Sequence, residues 1–196
     1  MDNHEKIKRI VLMAILSSLV IVLQLFFGSI KLGPVSVSFV LVPIAFGAIM
    51  IGPFAGAILG AIFGIIVLIN GFSGQDAFTL FLLERAPIIT ILVCMVKGVL
   101  AGLLPGLIVK WMKKSKLSII LASIAAPIAN TLTFIVMVLT LLSGTIQELI
   151  GEFNLSAQTT FYFLVFVCAG WNFLAELAVN AIVSPSIYTL ANKLIK

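Results

Sequence analysis

The sequence predicts an all-α integral membrane protein of about six transmembrane helices, with amino and carboxyl termini both cytoplasmic. Composition is the first reason. Of 196 residues, 62% are hydrophobic and 10% charged, where a soluble domain has about 45–50% and 25%. A soluble fold of this size has nowhere to hide so much apolar surface. Length is the second reason: six spans of roughly 20 residues use about 120 apolar positions. That is nearly all the chain has, so residues 1–196 read as a single transmembrane domain. Charge placement is the third. Lys6, Lys8, Arg9, Lys110, Lys113, Lys114, Lys116, Lys193 and Lys196 form three clusters, and basic clusters mark the cytoplasmic side. On a solvated face the net charge of +5 would point to phosphate contacts. Placed this way it reports topology, and nucleic acid is not an expected partner.

The spans fall at about 10–27, 35–51, 53–70, 87–109, 117–142 and 160–190. The amino-terminal run from Ile10 to Phe27 follows a basic start, as a secretory signal would, but it is long for such a segment and has no Ala-x-Ala-like exit. It reads as a retained first span. The loops then alternate: 28–34 outside, a tight Ile51-Gly52-Pro53 turn inside, 71–86 outside, 110–116 inside and 143–159 outside. Only Lys31 and Arg85 would lie on the outer side. Trp111, just before Lys113 and Lys114, suits an anchor at the inner interface. Cys94 and Cys168 fall inside apolar runs and are expected to be reduced and structural.

Gly52, Gly56, Gly60 and Gly64 recur every four residues, as do Gly98, Gly102 and Gly106. In lipid no hydrophobic drive pushes helices together, so close backbone approach governs packing and small residues at this spacing mark a contact. That contact is either between spans three and four or with a partner protein. Ala14 and Ser18 make a shorter small-xxx-small pair on the cytoplasmic half of span one, placed for a partner-docking role.

Ionisable groups within the hydrocarbon layer are costly and are candidates for function. Lys97 in span four and Glu176 in span six qualify, with Asn130 and Asn172 at similar depth. Asn172, Glu176 and Asn180 are spaced by four and share one helix face. Trp171 lies beside them, and Asn70 closes the set at the end of span three. Pro127 opens span five one turn before Asn130. The expected substrate-binding residues are therefore Lys97, Asn130, Trp171, Asn172, Glu176 and Asn70. The plainer alternative is a Lys97 to Glu176 ion pair with the amides bridging helices. The outer segments SIKLGPVS and NGFSGQDAF are rich in glycine and could serve as lids or as simple connectors.

Catalysis is not expected. The sole histidine is His4, in the amino-terminal tail, and Asp2 and Asp76 fall outside the spans. No buried imidazole is therefore available as a base, and two isolated cysteines give no metal-ligand spacing. No G-x-x-x-x-G-K-[ST] sequence is present, so ATP-driven work would need another subunit.

With these features in view, the chain resembles the substrate-binding (S) components of energy-coupling factor (ECF) vitamin transporters. The likeness runs over nearly the whole length. It rests on the short basic start before MAILSSLVIVL, on FGAIMIGPFAGAILGAIFG joining spans two and three, on APIANTLTF, and on NFLAELAVNAI. It implies capture of one vitamin in a cavity open to the outside. It also implies docking on a membrane coupling subunit of the EcfT type, with two ATPase subunits of the EcfA type, in a bacterial cell membrane. ATP is then used by the partners, and this chain carries no cofactor. Many members have Ala-x-x-x-Ala in span one, where this chain has Ala14-x-x-x-Ser18. The last two motifs look most like the pantothenate-type branch, with riboflavin, folate and cobalamin as alternatives. Lys97 would bind a carboxylate as a point charge, while Asn130, Asn172 and Glu176 satisfy amide and hydroxyls. The rival of another class is a stand-alone proton-coupled carrier using Glu176.

Overall fold

A computed structural model of the chain describes residues 3–27, 39–152 and 159–194. Among these the secondary structure is helical throughout: α1 (Asn3–Phe27), α2 (Leu41–Met50), α3 (Pro53–Phe72), α4 (Ala77–Arg85), α5 (Pro87–Trp111), α6 (Lys116–Leu141), α7 (Ser143–Glu152), α8 (Thr160–Tyr162), a π-helical segment (Phe163–Ala169) and α9 (Gly170–Leu194). Five helical stretches are long and apolar enough to cross a membrane: α1, α3, α5, α6 and the continuous run from Thr160.

The second expected span differs. Of 35–51, only Leu41–Met50 is helical among the described residues, and residues 28–38, including the SIKLGPVS loop, lie outside them. Ten residues make about 15 Å of helix, half the hydrocarbon thickness. Nine of these ten are buried, because α2 packs against α1, α3, α5, α6 and α9 and forms the middle of the bundle.

Two expected outer connectors also differ, since 71–86 contains α4 and 143–159 contains α7. The local cause is visible for α4. Asp76 is its N-cap, its carboxylate accepting from the Phe78 and Thr79 backbone N–H groups at 3.2 and 3.3 Å. An acidic cap before an apolar run starts a helix. Phe78 and Leu82 of α4 then join Ile146, Leu149 and Ile150 of α7 in one apolar cluster. These short helices pack onto the end of the bundle, and Arg85 ties them together. Its Nε lies 3.2 Å from Glu148 and its Nη2 2.5 Å from Glu152, with the guanidinium 3.6 Å over the Phe81 ring.

The glycine stripes pack against each other inside the bundle. A Cβ built on Gly56, Gly60 or Gly64 would run into the carbonyl oxygen of Gly102, Gly98 or Cys94 respectively. α3 and α5 are thus antiparallel and in backbone contact along three turns, so the internal alternative is the one realised. Pro53 and Pro87 sit at the first turns of α3 and α5, where the missing N–H costs nothing. Gly52, at φ 133°, makes the turn into α3 that side-chain-bearing residues resist.

α1 touches the bundle through one stripe, with Leu16, Val20 and Gln24 buried at intervals of four. Ala14 and Ser18 lie on its exposed face. The Ser18 hydroxyl donates to the Ala14 carbonyl at 3.0 Å, which satisfies its polarity within the helix. Cys94 and Cys168 are buried and free.

A polar cavity between six helices

A cavity opens in the half of the bundle nearest α4 and α7. Its wall takes Gln24 from α1, Asn70 from α3, Asp76 and Thr79 at the start of α4, Lys97 from α5, Asn130 and Thr131 from α6, and Asn172 and Glu176 from α9. Phe63, Val67, Phe78, Phe134 and Phe173 supply apolar surface between them. The cavity volume is about 70 Å³, and the space around it is continuous with solvent.

The local reasons for this convergence are legible helix by helix. Gln24 ends the buried stripe of α1, and Asn70 lies near the last turn of α3. Both are 4% exposed. Lys97 is carried one residue before Gly98, so the close α3–α5 approach sets its position. Its ammonium sits 5.8 Å from the Phe63 ring centroid and 5.4 Å from that of Phe134. Two aromatic faces stabilise a partly desolvated cation by about 0.5–2 kcal/mol. Among the described residues Lys97 is in no ion pair.

Asn130 lies one turn beyond Pro127, within α6. Its side-chain oxygen is buried and has no hydrogen-bond partner among the described residues. An unsatisfied buried acceptor costs about 1–3 kcal/mol. On α9, the Asn172 amide donates to the Cys168 carbonyl at 3.4 Å, and Asn180 donates to the Glu176 carbonyl at 2.9 Å. Asn172 and Glu176 line the cavity, whereas Asn180 is spent within the helix and accepts from Ser184 at 3.4 Å. The π-helical segment immediately before, Phe163–Ala169, ends at the lining residues Cys168 and Ala169. Such wide turns reset the rotation of the following helix and recur at functional sites.

Five of the six expected site residues therefore line one cavity: Lys97, Asn130, Asn172, Glu176 and Asn70. Trp171 does not. It is 76% exposed and faces away from the bundle, because its neighbour Asn172 takes the inward direction and adjacent helical positions diverge by about 100°. Gln24, Asp76, Thr79 and Thr131 are lining residues the sequence reading missed. Asp76 was findable: an Asp three residues before Thr, preceding an apolar run, is an N-cap signal, and a helix there returns the loop to the bundle. Gln24 had the weaker signal of being an uncharged polar residue near the end of an apolar span. Among the described residues no group of three His, Cys, Asp or Glu could hold a metal ion.

The arrangement can hold a small polar molecule by hydrogen bonds and one cationic contact, with aromatic walls around it. No curated protein matches the chain. The family model described as "ECF transporter, substrate-specific component" matches residues 8–188. That match covers nearly the whole sequence, and it agrees with the five membrane-length helices. The chain belongs to the family of substrate-specific components of ECF transporters and is a multi-pass membrane subunit of such an importer.

Proposed function

We propose that this subunit captures pantothenate from outside the cell and hands it to a coupling subunit of the EcfT type driven by two EcfA-type ATPases. The observation that carries the reading is the cavity itself. Polar groups from six helices meet there, and a buried acceptor on Asn130 awaits a donor. Pantothenate has one carboxylate, an amide and two hydroxyls. The Lys97 ammonium suits the carboxylate, and the amide side chains with Glu176 suit the other end.

Orientation supports the same reading. The cavity lies toward the carboxyl end of α1, at Gln24, so Lys6, Lys8 and Arg9 are at the other end of that helix. Lys114 stacks on Tyr188 of α9 at 5.5 Å, and Pro53 packs on Gly106, so the 110–116 cluster is also remote from the cavity. If basic segments face the cytoplasm, both termini are cytoplasmic and the cavity opens outward. With the shorter apolar helix α2 counted beside the five membrane-length helices, six membrane segments result.

Calorimetry on the purified chain with pantothenate, riboflavin, folate and cobalamin tests the proposal. Saturable pantothenate binding without ATP is the expected result. Riboflavin, folate or cobalamin binding in its place would move the ligand assignment, and silence for all four would defeat the capture role.

A further inference from the structure

Asp76 is 8% exposed and lines the cavity, although its place in the sequence is between spans. A carboxylate offers about four acceptor positions. Three are used: Oδ1 accepts from the Phe78 and Thr79 backbone N–H groups at 3.2 and 3.3 Å, and Oδ2 accepts from the Thr79 hydroxyl at 2.6 Å. The remaining capacity is on Oδ2. Thr79 Oγ1, having donated its proton, also keeps acceptor lone pairs beside it.

The wall carries one basic side chain, Lys97, and two acidic ones, Asp76 and Glu176. A ligand hydroxyl or N–H near the start of α4 meets the open acceptor position on Asp76 Oδ2. The buried, unpartnered Oδ1 of Asn130 on the facing helix adds another acceptor to the same space. Both acceptors suit a ligand that carries hydroxyl or N–H donors.

We infer that Asp76 is a specificity residue of the cavity, with Oδ2 accepting a hydroxyl or amide N–H of the bound vitamin. This rests on the capture role proposed above. Because Oδ1 of the same side chain caps α4, a ligand held by Oδ2 is also held to the first turn of that helix.

Asp76→Asn is the discriminating variant. Asn caps helices as well as Asp does, so Oδ1 and the α4 start are retained. The amide nitrogen, however, replaces Oδ2 and turns an acceptor into a donor. Affinity is measured for the wild type and Asp76→Asn with pantothenate and with analogues in which each hydroxyl in turn is replaced by hydrogen or the amide nitrogen is methylated. Hydrogen bonds to charged groups are worth roughly tenfold to a hundredfold in binding. The expected result is that one of these changes weakens wild-type binding by about tenfold or more and leaves Asp76→Asn nearly unaffected. A merely structural role gives additive losses. Equal losses in both proteins for every analogue would overturn the assignment of Asp76 and leave the capture role standing. If riboflavin is the vitamin that binds, the same comparison runs on its deoxy side-chain analogues. Binding of none of the four vitamins would remove the capture role and this inference together.

Discussion

Gly60 and Gly98 face each other so closely that a Cβ on either would collide with the carbonyl oxygen of the other. Both obstacles are backbone, so no side chain can swing aside. Gly60→Ala or Gly98→Ala forces α3 and α5 apart. Overpacking of this kind costs about 1–3 kcal/mol. Lys97 follows Val96 into Gly98 on the same helix, so the displacement also reaches the cavity. Thermal unfolding in detergent should show a clear loss of stability for either variant, with weakened ligand binding. Gly144→Ala, where a Cβ meets nothing within 4 Å, is the control and should be neutral.

Lys97 is held between Phe63 and Phe134 without a carboxylate in contact among the described residues. Its charge is then available to an anion. Lys97→Ala should weaken pantothenate by roughly tenfold to a hundredfold, the range for hydrogen bonds to charged groups. The neutral analogue with an alcohol in place of the carboxylate should lose far less. Competition binding of the two compounds checks this, and equal losses would count against a carboxylate contact.

Ser18 and Ala14 present a smooth, exposed face whose one hydroxyl is satisfied internally. Ser18→Leu adds bulk there without touching the buried stripe at Leu16, Val20 and Gln24. Vitamin binding by the isolated chain should be unchanged, while ATP-driven uptake by the assembled importer falls by about tenfold or more, as expected where close helix approach is blocked. Vesicle uptake alongside calorimetry separates these outcomes. Unchanged uptake would place the docking face elsewhere.

The membrane character of the fold and most of the cavity were legible because cost made them so. Lys97, Glu176 and the three Asn at span depth stand out against an apolar background, since lipid tolerates them only where protein or water surrounds them. The glycine spacing was equally readable, though it gave a contact without naming the partner. What sequence hid was the return of loops to the bundle. Hydropathy treats 71–86 and 143–159 as solvent segments, and α4 and α7 are short helices whose apolar residues pack on the bundle end rather than on lipid. Trp171 is exposed and lies outside the cavity wall. Neighbourhood in sequence to Asn172 suggested a shared site, but helical rotation turns adjacent side chains about 100° apart.

Arg85 supplies the electrostatic link between α4 and α7, bridging Glu148 and Glu152 while it lies over Phe81. Since α4 carries Asp76, Phe78 and Thr79 of the cavity wall, separating α4 from α7 loosens that wall. Each ion pair is well exposed, with Arg85 at 30% and the two carboxylates at 64% and 53%. Such a pair is worth at most about 1 kcal/mol. The apolar cluster beneath holds the fold, so Arg85→Ala should leave stability nearly unchanged. Its effect belongs to rates: dissociation of the bound vitamin should quicken by up to about fivefold per pair lost, following that energy. Screening gives an internal check. High salt should speed dissociation from the wild type and do little to Arg85→Ala, because exposed charges are screened beyond roughly 3 Å at 1 M. Stopped-flow displacement of bound vitamin at low and high salt measures both effects. An Arg85→Ala variant that releases its ligand at the wild-type rate at low salt would show that α4 and α7 do not open together.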